Sequence, residues 1–201
     1  MGGVPKGNLL FEGRSILDRT LESCRAAALG AGSDGAGASH LYLVGDSSAY
    51  AASGVLRLAD DPKGMGPMGG LRALLREAAR LGLPAVALAN DLPFLTARLL
   101  ERLCFESAEA AALAPRENQR WQPLFARYLP DVVLPELDAA LAQQRTSLQT
   151  LFDRLGTRAV GLELSGAEWQ ALRDWDRPSD MLPGDGVAPG ETVDPAPEST
   201  P

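Results

Sequence analysis

Histidine occurs once, at His40, and cysteine twice, at Cys24 and Cys104. A single imidazole with no Ser or Cys partner pattern argues against a nucleophilic triad, and His40 reads as a strand-edge residue. Neither cysteine has a CxxC neighbour or a metal-like spacing. Both fall on segments of helical period and read as buried free thiols, a usage that fits a reducing cytosol. Every apolar run is far shorter than the roughly 20 residues of a membrane span. The N-terminus has no charged and apolar signal segment, and Lys6 stands where a myristoylation motif wants Ser or Thr. A cytoplasmic protein with no membrane partner is expected. The chain has no internal repeat.

Positive charge is also in short supply, with 19 Lys and Arg against 26 Asp and Glu. Residues 182–201 carry Asp185, Glu191, Asp194 and Glu198 and no base, so the remainder holds 22 acidic against 19 basic residues. A body so nearly balanced offers no basic surface for a nucleic-acid backbone and no polybasic anchor. Such a body can still bind small, locally recognised anions. The same terminal stretch contains Pro183, Pro189, Pro195, Pro197 and Pro201 with few large apolar side chains. It cannot offset its ordering entropy, and 182–201 is expected to be a disordered tail behind one domain over 1–181.

Within that domain, short runs rich in Val, Leu and Ala alternate with segments of helical period, which predicts an α/β sheet sandwiched by helices. Leu17, Leu21, Cys24 and Ala28 share one face, and Ser15 with Asp18 forms a capping-box pattern, predicting a helix from about Ser15 to Leu29. LYLVGD and VLRLAD read as strands ending at Asp46 and Asp60. GMGPMGG leads into a helix with a stripe of Leu71, Leu74, Leu75, Ala78 and Leu81. AVALAND is the strongest strand and ends at Asp91, and Thr96 is a good N-cap for the helix that follows. AAALAP and QPLFARYL look like a strand pair. Pro135, and Thr146 or Ser147, are expected to start two short helices, with Gly156 ending the second. RAVGLEL is a further strand or extended segment. Three strands thus end in carboxylates, and strand carboxyl ends line the ligand crevice of an open α/β sheet.

Gly30, Gly32 and Gly35 make a GxGxxG match. A dinucleotide fingerprint needs a strand before it and a helix after it, and here the order is reversed. The match reads as a linker.

The segment MGGVPKGNLLFEGRSILDRTLE resembles the second half of the signature of the molybdenum cofactor guanylyltransferases. Met1, Gly2, Gly3 and Lys6 stand in the places of a Gly-rich loop and its Lys, and Gly7, Leu9, Leu10 and Gly13 continue the pattern. Close-packed glycines let backbone N–H groups approach phosphate oxygens, and a fixed Lys neutralises charge growing on them. GPMGGLRALL, from Gly66 to Leu75, is similar to the family's GPLGG loop and helix. ANDLPFL is similar to its CDMPFL strand end, and RWQPLFARYLP to its QPLFALY segment. RTSLQTLFDRLG and WDRPSDM occupy the places of the RSL-containing helix and the closing NINTPEDL. These matches run in family order from Met1 to Met181.

The resemblance implies a Rossmann-like three-layer α/β/α nucleotidyltransferase fold with a mostly parallel sheet. It implies transfer of GMP from GTP to the terminal phosphate of molybdopterin, with release of pyrophosphate. Holding two polyanions in line and screening their charge suits a carboxylate-bound Mg2+ and a Lys. By position Asp91 is the metal-binding and catalytic Asp, and Lys6 the catalytic, phosphate-binding Lys. Gly2, Gly3, Lys6, Asp46, Asp60 and Asp91 make the nucleotide-binding set, with Asp61 a one-residue alternative to Asp60. An Asp can accept from both the ring N–H and the exocyclic amino group of guanine, a donor pair that cytosine lacks. Gln122 and Pro123 would shape the pterin-side wall. A cofactor-delivery or acceptor protein is admitted as a further partner.

Several positions depart from the family. Asp46 replaces a usual Asn, Asp174 and Asp176 stand near the usual closing Asn residues, and Asn90 replaces a common Cys. The family also places a buried strand and an LAGG-type loop before the Met-Gly that opens this chain. That strand lies mid-sheet, and two neighbours lacking it would want ladder partners; translation is therefore expected to begin upstream, and activity of the 201 residues alone to be low. A related cytidylyltransferase, or a degraded homologue acting as a binding protein, are the alternatives.

Overall fold

The computed structural model describes residues 6–30, 40–45, 50 and 53–173. Gly2, Gly3, Asp46, the last two glycines of the GxGxxG match, Asp174, Asp176 and the tail lie outside these described residues. A 3-10 turn, Lys6–Asn8, precedes a two-residue hairpin of β1 (Leu10–Phe11) and β2 (Arg14–Ser15). α1 then runs over Ile16–Gly30. Ser15 starts it as its spacing suggested: the Ser15 hydroxyl accepts from the Asp18 N–H at 3.0 Å and donates to the Asp18 carboxylate at 2.6 Å.

β3 (Tyr42–Val44) and β4 (Leu56–Leu58) pair in parallel. α2 (Pro67–Leu81) begins on a proline, whose missing N–H costs nothing at a first helical position, and ends at Gly82 in the left-handed region. β5 (Ala85–Leu88) follows, then α3 (Ala97–Phe105), where the Thr96 side chain accepts from the Leu99 N–H. β6 (Ala112–Ala114), the hairpin of β7 (Arg116–Glu117) and β8 (Arg120–Trp121), and β9 (Phe125–Tyr128) come next. α4 (Pro130–Ala142), α5 (Leu148–Leu155), β10 (Ala159–Gly161) and α6 (Gly166–Ala171) complete the described chain. Among the described residues no helix is long and apolar enough to cross a membrane.

One helix start differs from expectation. α4 begins at Pro130, and Pro135 lies inside it. The burial of Val133, Leu137 and Ala140 on one face outweighs the lost N–H of Pro135, which sits on the exposed side.

The main sheet has the order β10-β6-β9-β5, with β10 and β6 parallel and β9 antiparallel to both of its neighbours. β5 shows how the layers stack. Its Ala85 and Ala87 pack with Leu71 and Leu75 of α2 and Val133 and Leu137 of α4. Its Val86 and Leu88 turn the other way, toward Leu99 and Leu103 of α3 and Ala27 of α1. Period-2 alternation on one strand thus separates two helical layers, giving the three-layer α/β architecture. Each fully buried leucine of these clusters contributes about 1.5–3 kcal/mol by leaving water.

β3 and β4 form a separate two-stranded sheet. Between β3 and β5 lies a cleft of about 420 Å³, bounded by Leu41–Gly45 on one side and Val86–Asn90 on the other. Leu17 and Leu21 of α1 and Leu71 and Leu74 of α2 make its throat apolar.

Candidate functional site

The polar end of this cleft gathers residues from four elements. Gly45 follows β3 and donates its N–H to the Leu58 carbonyl of β4 at 2.9 Å, so the exits of both strands lie at one end. Asp60 follows β4, Asn90 follows β5, and Gly66 and Pro67 form the start of α2; all four line the cleft together with Tyr50. The start of α2 favours anions through its dipole, which is positive there; Pro67 has no N–H, and the Gly69 and Gly70 N–H groups donate to the Gly66 carbonyl at 3.0 and 3.4 Å.

The last two glycines of GPMGG, Gly69 and Gly70, explain how the helix start comes so near Asp60. A methyl group on Gly69 would stand 2.5 Å from the Pro62 carbonyl oxygen, and one on Gly70 would stand 3.2 Å from the Asp60 Oδ1. Only side-chain-free positions let the first turn of α2 lie against the 60–62 loop. The Asp61 N–H donates to the Gly69 carbonyl at 3.1 Å and secures the same contact.

Asp60 and Asp61 have separate surroundings. The Asp61 carboxylate is held by Arg72 and Arg76, each at 2.7 Å, and Arg72 also meets Asp138 of α4 at 2.6 Å. Asp61 thereby ties α2 to its neighbours and does not line the cleft, whereas Asp60 does.

Asp91 is partly buried, directly after the cleft-lining Asn90. The DLPFL loop beyond it is pinned from α1, where the Arg19 Nε donates to the Pro93 carbonyl at 3.3 Å and the Ser23 hydroxyl to the Leu95 carbonyl at 2.7 Å. Leu92 and Leu95 are buried beneath. Lys6 opens the turn whose next residue, Gly7, donates its N–H to the Tyr50 hydroxyl at 3.2 Å. The Asn90 side-chain amide donates to the same hydroxyl at 2.9 Å. The Lys6 turn and the end of β5 are therefore brought together through Tyr50, a residue that no sequence signal singles out.

Gln122 and Pro123 lie beside this edge. The Ala89 N–H donates to the Leu124 carbonyl at 2.6 Å, and Leu124 lines the cleft. His40 is exposed immediately before β3, where its strand-edge reading put it. Both cysteines are free; burial pushes the Cys24 thiol up to about 11 and raises that of Cys104, leaving both unreactive near neutrality.

Among the described residues, no three His, Cys, Asp or Glu side chains converge as a closed metal cage would require. Mg2+ keeps much of its hydration and is usually held by one or two carboxylates together with substrate phosphates; Asp60 lines the cleft, whereas Asp91 directly follows the cleft-lining Asn90 and is not itself among the lining residues.

Residues 1–159 match the MobA-like NTP transferase domain. Among solved structures, the chain is similar to molybdopterin-guanine dinucleotide biosynthesis protein A from Archaeoglobus fulgidus, with 22% identity, a TM-score of 0.65, and coverage of 89% of this chain and 88% of that one. It is also similar to 2-C-methyl-D-erythritol 4-phosphate cytidylyltransferase from Thermus thermophilus, with 18% identity, a TM-score of 0.62, and coverage of 88% and 90%. Likeness at such identity speaks for the fold alone. No curated protein matches the sequence. The match over residues 1–159, most of the chain, makes this protein a member of the MobA-like NTP transferase domain family, and so a nucleotidyltransferase.

Proposed function

We propose that the protein is a cytoplasmic molybdenum cofactor guanylyltransferase, moving GMP from GTP to the terminal phosphate of molybdopterin and releasing pyrophosphate. The observation that carries this reading is the Asp60 carboxylate, which faces the cleft at the start of α2 and is held close by Gly70. A carboxylate there can accept two hydrogen bonds from the Watson–Crick edge of guanine, while the first turn of α2 and the glycines Gly2 and Gly3 take up phosphate charge. Lys6 screens the polyphosphate, Asp46 completes the strand-end carboxylates, and Asp91 holds the metal. Mg2+ supplies Lewis-acid screening of the phosphoryl oxygens when bound. Asp91 is suited to holding it, with Asp60 left to the base. Membership of the MobA-like NTP transferase domain family over residues 1–159, with the motif order shared with the molybdenum cofactor guanylyltransferases, supports molybdopterin as acceptor.

A titration of GTP and CTP, each with and without Mg2+, tests the proposal. Saturable, metal-dependent binding with GTP preferred is the expected result. Equal binding of the two nucleotides would reject the guanylyl assignment, and turnover of molybdopterin with CTP alone would make the protein a cytidylyltransferase.

The open cleft supports a second reading, in which these 201 residues bind nucleotide but turn it over weakly. Among the described residues the facing edges of β3 and β5 have no ladder partner and the throat between them is apolar, which favours it. Binding without measurable pyrophosphate release would favour this reading over the first.

A further inference from the structure

We infer that Tyr50 is a positioning residue of the nucleotide site, a clasp that holds the Lys6–Asn8 turn against the end of β5. The inference rests on the nucleotidyltransferase reading and adds to it a residue outside the family's signature segments. Tyr50 is 8% exposed, and its ring packs on Gly7 so closely that a methyl group there would stand 3.0 Å from both a ring carbon and the hydroxyl oxygen. Its hydroxyl accepts twice, from the Gly7 N–H at 3.2 Å and from the Asn90 amide at 2.9 Å. A phenolic oxygen has no better use for its acceptor capacity than two donors brought from distant parts of the chain.

The geometry also gives a reason for Asn at position 90. An amide donates to the hydroxyl, whereas a thiol donates weakly and a carboxylate does not donate at all. Tyr50 and Asn90 thus act as a pair, and the pair sets how far the turn that begins at Lys6 stands from the strand end that carries Asp91.

Tyr50→Phe keeps the ring on Gly7 and removes only the oxygen. Three measurements on the full chain test the clasp: amide hydrogen exchange at Gly7, thermal melting, and the Kd of GTP with Mg2+. We expect faster exchange at Gly7 and nucleotide binding weaker by about tenfold, the loss of one hydroxyl that serves two donors. Asn90→Ala is expected to weaken binding similarly, and the double variant no more than either single one. A lowered melting temperature with unchanged GTP affinity would make Tyr50 merely structural and overturn the inference, as would unchanged Gly7 exchange or additive effects of the two substitutions. If the parent chain binds no nucleotide, the proposed function fails; the positioning role of Tyr50 falls with it, although slowed Gly7 exchange in the parent would still separate that failure from absence of the contact.

Discussion

Gly70 carries Asp60: a methyl group at residue 70 would come within 3.2 Å of the Asp60 Oδ1 and 3.1 Å of the Val44 Cγ1. The carboxylate proposed to read the base is thus seated on a helix backbone with no room between them. Gly70→Ala is expected to displace Asp60 and weaken GTP binding by about tenfold to a hundredfold, with a much smaller effect on melting. Gly69→Ala is expected to act on the fold instead. Its methyl group would meet the Pro62 backbone at 2.5 Å, and denaturant unfolding should show a loss of about 1–3 kcal/mol.

Asp60→Asn keeps the size of the side chain and exchanges one acceptor for a donor. GTP binding is expected to fall by roughly 10–100-fold while CTP binding changes little. Equal losses for both nucleotides in a side-by-side titration would remove Asp60 from base recognition.

Asp91→Ala is expected to lower turnover by about two orders of magnitude or more. Its far-UV circular dichroism and melting should stay near those of the parent. Full activity in this variant would refute the metal assignment.

Acid response is expected to follow Glu168. Its carboxyl is held down to about 2 by the Ser165 N–H first, with Arg102 and the Ser165 hydroxyl assisting. The unfolded chain, with the ordinary value of 4.5, takes up the proton first as the pH falls. Stabilisation from this group is therefore complete above about pH 5 and is lost progressively toward about pH 2. Glu168→Gln should melt lower than the parent at neutral pH, and the gap should narrow on acidification. A gap that is constant with pH would show that the charge contributes nothing.

Helices with an unbroken apolar stripe were readable without coordinates. In α2, Leu71, Leu75 and Ala78 are buried as their spacing requires, and Thr96 caps α3 as its position before an apolar run suggests. The β7–β8 hairpin was not readable, because its turn residues Asn118 and Gln119 adopt positive φ without a glycine to mark them. Pro135 lies inside α4 and not at its start because a proline's tolerance depends on which face of the helix it occupies, and the face is set by packing. The choice between Asp60 and Asp61 lay beyond spacing altogether, and it was the arginines on α2 that separated them. Tyr50 was invisible for a similar reason: its hydroxyl partners lie 43 and 40 residues away.

That no described strand bridges β3 and β5 also has a mechanical consequence. Sheets joined by a hydrogen-bonded ladder move as one plate, whereas among the described residues these two are joined by packing on α1 and α2, where Glu77 accepts from the Tyr42 hydroxyl of β3 at 2.8 Å, and by the Tyr50–Asn90 contact. Asp60 rides on the smaller plate, and Asn90 and Asp91 on the larger. A nucleotide gripped from both plates works as a cross-brace, and the stiffness it adds should spread along β3 and β4 as slowed amide exchange well beyond the atoms it touches.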